Sequence, residues 1–265
     1  MNLLDPVLQQ FQEILYEAKQ AIVFTGAGVS TESGIPDFRS PGGIWTKHQP
    51  IAFQDFLRSE TIRRESWKRK FATDTVVQNA KPNPGHIAIT SLIRKGIVCS
   101  VITQNIDGLH QIAGVPDEKL IELHGNATYA SCLDCHKRVS LKEIRIPFEA
   151  EGHLPVCVEC GGIVKTATIS FGQPMPESAM LKANKAASVC DLFVVVGSSL
   201  VVYPAAGFPI VAKQNGAKLI ILNRDPTDLD ELADLVINRE IGPTLAAVTN
   251  TRDVSQGQRS RGCHA

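Results

Sequence analysis

The stretch VFTGAGVSTESGIPDFR, Val23–Arg39, decides the fold. An apolar run ends in Gly26-Ala27-Gly28, as the first turn of a dinucleotide-binding sheet does. The usual fingerprint places a third glycine where this chain has Thr31. Instead the sequence enters a polar loop that closes on Pro36-Asp37-Phe38-Arg39. A phosphate-binding turn is predicted, and the loop behind it is left to be explained.

Outward from that turn, the preceding run Ala21–Thr25 is short, apolar and β-branched, the pattern of a strand buried on both faces of a parallel sheet. Val98–Thr103, Asp191–Gly197 and Lys218–Asn223 read alike, with a short fifth strand at Ala233–Ile237. Helical stretches such as His86–Lys95 and Ala205–Asn215 lie between them. The alternation predicts a doubly wound, Rossmann-like α/β sheet. Ligands of such sheets bind beyond the carboxyl ends of the strands. Four strands end there in small or polar residues: Thr25-Gly26-Ala27-Gly28, Thr103-Gln104-Asn105-Ile106-Asp107-Gly108, Gly197-Ser198-Ser199 and Asn223-Arg224-Asp225. One polar strand end means little, but four that converge on one edge predict a site.

Two segments leave the pattern. Ser40–Pro84 is aromatic and charged, with helical spacing near Ala52–Leu57 and Thr61–Thr73, and Asn126–Lys165 holds paired cysteines. Both are predicted to form a smaller inserted domain. The division expected is a sheet domain in three parts (1–39, 86–125, 166–250), a cofactor loop with a helical module (40–85), a zinc-ribbon module (126–165) and a weakly ordered tail (251–265). Before the first strand, Val7, Leu8, Phe11, Ile14, Leu15 and Ala18 predict an amphipathic helix that starts at Asp5-Pro6.

Composition narrows the function. The 265 residues carry 27 basic and 27 acidic side chains, so nothing global points to nucleic acid or an anionic membrane. No apolar run reaches membrane-spanning length, and the first residues do not read as a signal peptide. A cytoplasmic monomer is the default expectation. Cys132-Leu-Asp-Cys135 and Cys157-Val-Glu-Cys160, with 21 residues between the pairs, match a four-cysteine zinc ribbon. A redox pair or disulfides compete poorly with two matched knuckles, and a shell of four thiolates has no open position, so the zinc is read as structural. Cys99, Cys190 and Cys263 stand outside any Cys-x-x-Cys spacing. His124, in LIELHGNATYASCLDC, lies eight residues before the first knuckle, where the sheet passes to the insertion. A histidine at a cleft between domains suits general base work near neutrality, although a lone histidine is as often structural.

GAGVSTESGIPDFR, TQNIDGLH, LHG, the two cysteine pairs, FGQPMP, GSSLVVYPAAG and LNRDPT follow one another in the order of the sirtuins. From about Gln20 to Leu245 the chain resembles the prokaryotic-type members of that family, NAD-dependent protein-lysine deacylases. The resemblance implies the purpose of the polar loop: Val29–Lys47 closes over a reactive ribose from which nicotinamide is cut. It assigns the pyrophosphate to Gly26, Ala27 and Gly28, and places Thr31 and Pro36 in the cofactor site. The nicotinamide end goes to Asp37, Phe38 and Arg39, with Phe38 shielding the ribose carbon. Gln104 is implied for the ribose, Asn105, Ile106 and Asp107 for the carboxamide, and Asn105 and His124 for catalysis. Gly197, Ser198, Ser199, Asn223, Arg224 and Asp225 take the adenosine half, with Ile241 near the adenine. An acyl-lysine peptide lies as an added strand along Phe171-Gly172 and Val201-Val202-Tyr203.

The implied chemistry is attack of the acyl oxygen on the ribose carbon to give an imidate, then attack of a ribose hydroxyl, deprotonated by His124, on the imidate carbon. Lysine, nicotinamide and 2′-O-acyl-ADP-ribose result. The chain departs from many relatives at Gln173, where they carry Glu, and at Lys165-Thr166, where they carry a basic residue and Pro. Around Trp67–Phe71 there is no Tyr-x-x-Arg pair of the kind that grips acidic acyl groups, so a neutral acyl group is expected, although Lys68, Arg69 or Lys70 could stand in for that arginine. Two rivals remain: ADP-ribosyl transfer to a protein through the same NAD cleavage, and a non-catalytic NAD sensor. A bare zinc-ribbon interaction protein leaves the four strand ends unexplained.

Overall fold

The computed structural model describes residues 5–38, 43 and 49–249. Six parallel strands form the main sheet: β1 (Ala21–Thr25), β2 (Val98–Thr103), β3 (Leu120–Glu122), β7 (Leu192–Val196), β8 (Lys218–Leu222) and β9 (Leu235–Ile237). Their order is β3-β2-β1-β7-β8-β9. The chain builds outward from β1 on one side, then returns and builds outward on the other. The switch point therefore lies between β1 and β7, where a crevice opens beyond the strand ends.

Side chains alternate between the two faces with period two. Val23, Val101, Val194, Val196, Ile220 and Leu222 face one layer, with α1 (Pro6–Glu17), α4 (Pro84–Arg94) and α9 (Ile241–Thr249) packed over them. Ile22, Phe24, Ile102, Phe193, Val195, Leu219 and Ile221 face the other, covered by α7 (Glu177–Val189) and α8 (Phe208–Gln214). Both layers are apolar because the strands are buried on both faces, which is why those runs read as unbroken hydrophobics. Asp5 caps α1, its carboxylate accepting from Val7 N and Leu8 N.

Between β3 and β7 the chain makes a second sheet, β5-β4-β6, from β4 (Gly125–Cys132), β5 (Arg138–Val139) and β6 (Val164–Thr168). It shares a third core with α3 (Glu60–Asn79) and α6 (Leu141–Glu151), built on Trp67, Phe71, Ala130, Leu141, Ile144, Phe148 and Val164. Trp67 stacks on Phe71 at 5.5 Å between ring centroids, and Phe71 meets Phe148 at 5.6 Å. α2 (Phe53–Arg58) precedes α3 and contributes the buried Phe56.

The structure differs from the expectations in five elements. The stretch after Gly26 is a 3-10 helix over Ala27–Ser33, not a loop, ended by Gly34 at φ 83°. β3 is a sixth strand, missed because three residues are too few for a pattern. α6 lies inside the zinc insertion, where no helix was expected. Ser140 caps it and Leu141, Ile144 and Phe148 share its buried face, which outweighs the interior Pro147. α7 and α9 were also not foreseen. The expectations for Arg39, most of the loop beyond it and the tail 251–265 lie outside the described residues.

Candidate active site

A cavity of about 830 Å³ opens at the switch point and runs toward the small sheet. The turns that follow β1, β2, β7 and β8 meet there. Gly26, Ala27, Gly28 and Thr31 line it, as do Pro36, Asp37 and Phe38. So do Gln104, Asn105, Ile106 and Asp107 from the second turn, Gly197, Ser198 and Ser199 from the third, and Asn223, Arg224 and Asp225 from the fourth. Ile241, at the start of α9, closes one wall. Phe171, Gly172, Val201, Val202 and Tyr203 form the opposite rim with His124. Phe171, Val201 and Tyr203 are 51%, 45% and 65% exposed, so the rim offers an open apolar surface. The structure thus gathers around one space every described residue that the resemblance assigns to catalysis, cofactor or peptide.

The glycines serve a purpose that the motif alone does not reveal. A Cβ on Gly28 would sit 2.8 Å from the Gly197 Cα. Gly28 N–H donates to Gly197 O at 2.8 Å, and Gly26 N–H to Val196 O at 3.1 Å. The β1 turn is therefore glycine because it packs directly on the β7 turn.

Ser30, Asn105 and Asp107 of the cavity wall belong to a polar network that the sequence pattern does not show. Ser30 Oγ donates to Asp107 Oδ2 at 2.7 Å and accepts from Asn105 Nδ2 at 3.1 Å. Asn105 N–H donates to Thr103 Oγ1 at 3.0 Å, and Thr25 Oγ1 bonds both Thr103 Oγ1 at 2.8 Å and His110 Nε2 at 3.0 Å. Ser30, Asn105 and Asp107 are 1%, 6% and 7% exposed, so their hydrogen bonds are made with one another instead of with bulk water. His110 stands 5.0 Å from His86, ring to ring. Burial drives both imidazoles to the neutral form, His86 down to about 4 and His110 to about 3. Ser30 carries no signal in the sequence, since a serine after a glycine turn is ordinary and only the fold buries it.

His124 stands between β3 and β4, where the chain leaves one sheet for the other. Its Nδ1 lies 3.0 Å from Gln104 O. A carbonyl can only accept, so Nδ1 carries the proton and Nε2 carries the lone pair. Burial lowers the pKa below the ordinary 6.5, and the Gln104 carbonyl, which favours the protonated ring, opposes that in part. The site therefore holds a neutral imidazole with one basic nitrogen at neutral pH. The next residue, Gly125, has φ 71°, and a side chain there would overlap the Ala167 carbonyl of β6.

The two basic residues of α3 that line the cavity, and so could meet an acyl carboxylate, are engaged. Lys70, 10% exposed, is paired with the buried Asp74, and Arg69 with Glu65 at 2.6 Å.

Away from the cavity, the Sγ atoms of Cys132, Cys135, Cys157 and Cys160 all lie within 4.8 Å of one another. Cys132 to Cys160 and Cys135 to Cys157 are each 3.5 Å. A zinc tetrathiolate with bonds of about 2.3 Å has sulfur–sulfur edges of roughly 3.8 Å, so the four thiols fit that ion. Cys190 is not part of it; its thiol is buried behind α7 and pushed up to about 12 by burial.

The model of the Sir2 family matches residues 26–204. A NAD-dependent protein deacetylase of Rhodopseudomonas palustris is 52% identical over 238 residues, which is 90% of this chain and 94% of that protein. A solved Sir2 complex with a p53 peptide and NAD+ is 35% identical with a TM-score of 0.81, covering 91% of this chain and 96% of the other. A second, with a deacetylated p53 peptide and 3′-O-acetyl-ADP-ribose, is 36% identical with a TM-score of 0.83 at the same coverage.

Proposed function

The chain belongs to the Sir2 family, and from that premise we propose that it is a NAD-dependent protein-lysine deacylase acting on acetyl and other neutral acyl groups. One observation carries the reading: a neutral His124 with a free Nε2 shares a cavity with the four polar strand ends and with an apolar rim. That is the set needed to hold a dinucleotide, admit an uncharged acyl-lysine and remove one proton.

NAD is a co-substrate here. The adenosine half is assigned to Gly197–Ser199 and Asn223–Asp225, and the pyrophosphate to the turn at Gly26–Gly28 and the following 3-10 helix. Backbone N–H groups at such a turn favour anions. Asn105 and Asp107, held by Ser30, present their polar atoms to the carboxamide. As nicotinamide leaves, the acyl oxygen bonds to the ribose carbon. His124 Nε2 then takes the proton of the ribose hydroxyl that attacks the acyl carbon. Lysine and 2′-O-acyl-ADP-ribose follow once water enters. Phe171 and Val201 wall the acyl channel, where a neutral amide desolvates at far lower cost than a carboxylate. The pairing of Lys70 and Arg69 supports that preference, because neither of these cavity-lining cations is left unpaired to meet an acidic acyl group. Zinc on the four cysteines would tie the β5-β4-β6 sheet and α6 together and so support that side of the cleft. The protein is taken to act as a monomer in the cytoplasm; no described helix is long and apolar enough to cross a membrane.

Turnover of matched acetyl-, propionyl- and succinyl-lysine peptides with NAD tests the proposal. Acetyl and propionyl are expected to exceed succinyl in kcat/KM by roughly 10²-fold or more, about the cost of burying one unpaired charge. Equal use of succinyl contradicts the neutral-acyl reading.

A further inference from the structure

His124 stands on a short crossing. β3 ends at Glu122 and β4 begins at Gly125, so only Leu123 and His124 lie between the two sheets. The backbone there is tied sideways: Leu123 N–H donates to Thr103 O, and His124 O accepts from Ile169 N–H, both at 2.9 Å. One side-chain bond ties it lengthwise. Glu122 Oε1 accepts from Asn126 Nδ2 at 2.8 Å and so bridges the crossing from one strand to the other. The same oxygen accepts from Gln111 Nε2 at 2.8 Å. Gln111 lies in α5 (Leu109–Ala113), the helix that directly follows the turn Gln104–Gly108. Asn126 is 4% exposed, and its own oxygen is occupied by the Thr128 N–H and hydroxyl. Burial raises the Glu122 carboxyl pKa, while the two amide donors favour the ionised acceptor. Glu122 itself lies outside the cavity lining.

We propose that Glu122 is a positioning residue for deacylation: by bridging Gln111 and Asn126 it holds His124 in register with the cofactor turn Gln104–Asp107. The proposal rests on His124 acting as the base. That role belongs to the second half of the reaction, after nicotinamide has left. The first half and its reversal, exchange of free nicotinamide into NAD, call on Asn105 and Asp107 instead. A shifted imidazole therefore slows deacylation and spares exchange. Simple loss of fold slows both.

The test uses the full-length chain with an acetyl-lysine peptide and labelled nicotinamide. Deacetylation kcat and KM are measured beside the exchange rate in the wild type, E122Q, N126D and the variant that carries both substitutions. E122Q keeps the acceptor oxygen for both amides and is expected to stay within about threefold of wild type. N126D keeps the acceptor for Thr128 but turns the donor facing Glu122 into a second carboxylate. Its kcat is expected to fall roughly 10- to 100-fold, the scale of an ångström misplacement of a reacting group, with peptide KM and exchange nearly unchanged. In the double variant the amide introduced by E122Q donates one N–H to the carboxylate introduced by N126D and the other to the Gln111 side-chain oxygen, once the Gln111 amide turns over to accept, and most of the lost kcat is expected to return. The proposal is overturned if N126D deacetylates like wild type, if its exchange falls in step with kcat, or if the double variant recovers nothing. A wild type that does not deacetylate at all defeats the function reading itself, and this proposal with it. A competent wild type matched by N126D defeats only the positioning role.

Discussion

At the scale of single residues, the chemistry turns on which nitrogen of His124 is free. The Gln104 carbonyl fixes the proton on Nδ1, and burial keeps the ring neutral below the ordinary histidine pKa. Since the neutral form is the base, kcat should hold as pH falls toward 6.5 and drop only below it, as protons occupy Nε2. A kcat profile whose acid limb lies above pH 6.5 contradicts this sign. His124→Ala should cut deacetylation by on the order of 10²- to 10⁴-fold, the usual contribution of a general base, while nicotinamide exchange persists. Gly125→Ala attacks the same place through the backbone. It combines a positive φ with overlap on Ala167, and should cost about 2 kcal/mol or more in denaturant titrations. His124 and the strand-end residues were legible in the sequence because they sit in motifs. Ser30 and Glu122 were not, since one matters through a contact 75 residues away and the other through a bond across a sheet change.

At the scale of elements, the strands were the most readable part of the chain. β1 and β2 begin and end where their apolar runs do, because a strand buried on both faces has no polar side to blur its ends. α6 shows the opposite case. Ser140 caps it and Leu141, Ile144 and Phe148 recur at helical spacing, but an interior proline such as Pro147 disfavours a helix, and packing on Trp67, Phe71 and the small sheet decides the matter. That shared core gives the four cysteines a role beyond their own loops. Cys132 and Cys157 are themselves buried in it, at 0% and 3% exposed. Cys157→Ser, or exposure to a strong chelator, should therefore lower Tm by roughly 10 °C and release α3 along with the ribbon. Loss of activity with an unchanged melting curve would contradict a structural role for the metal.

At the scale of the whole molecule, the strand order places every polar turn on one edge and puts the crossing to the small sheet beside it. Fold and site are thus one arrangement, and the same burial that builds it has a cost in acid. His86 and His110 are neutral in the folded protein and lie far below their ordinary 6.5. Unfolded chains bind protons there that the native state refuses, so stability should decline as pH falls from about 6.5 toward 4. Urea midpoints flat across that window would contradict the buried neutral pair. The most direct measurement is the mass of both products when the chain meets an acetyl-lysine peptide with and without NAD, beside His124→Ala. Loss of the acetyl group only with NAD, matched by acetyl-ADP-ribose, is expected, and neither product in useful amount from the variant. A peptide that keeps its acetyl group, or gains ADP-ribose instead, would contradict it.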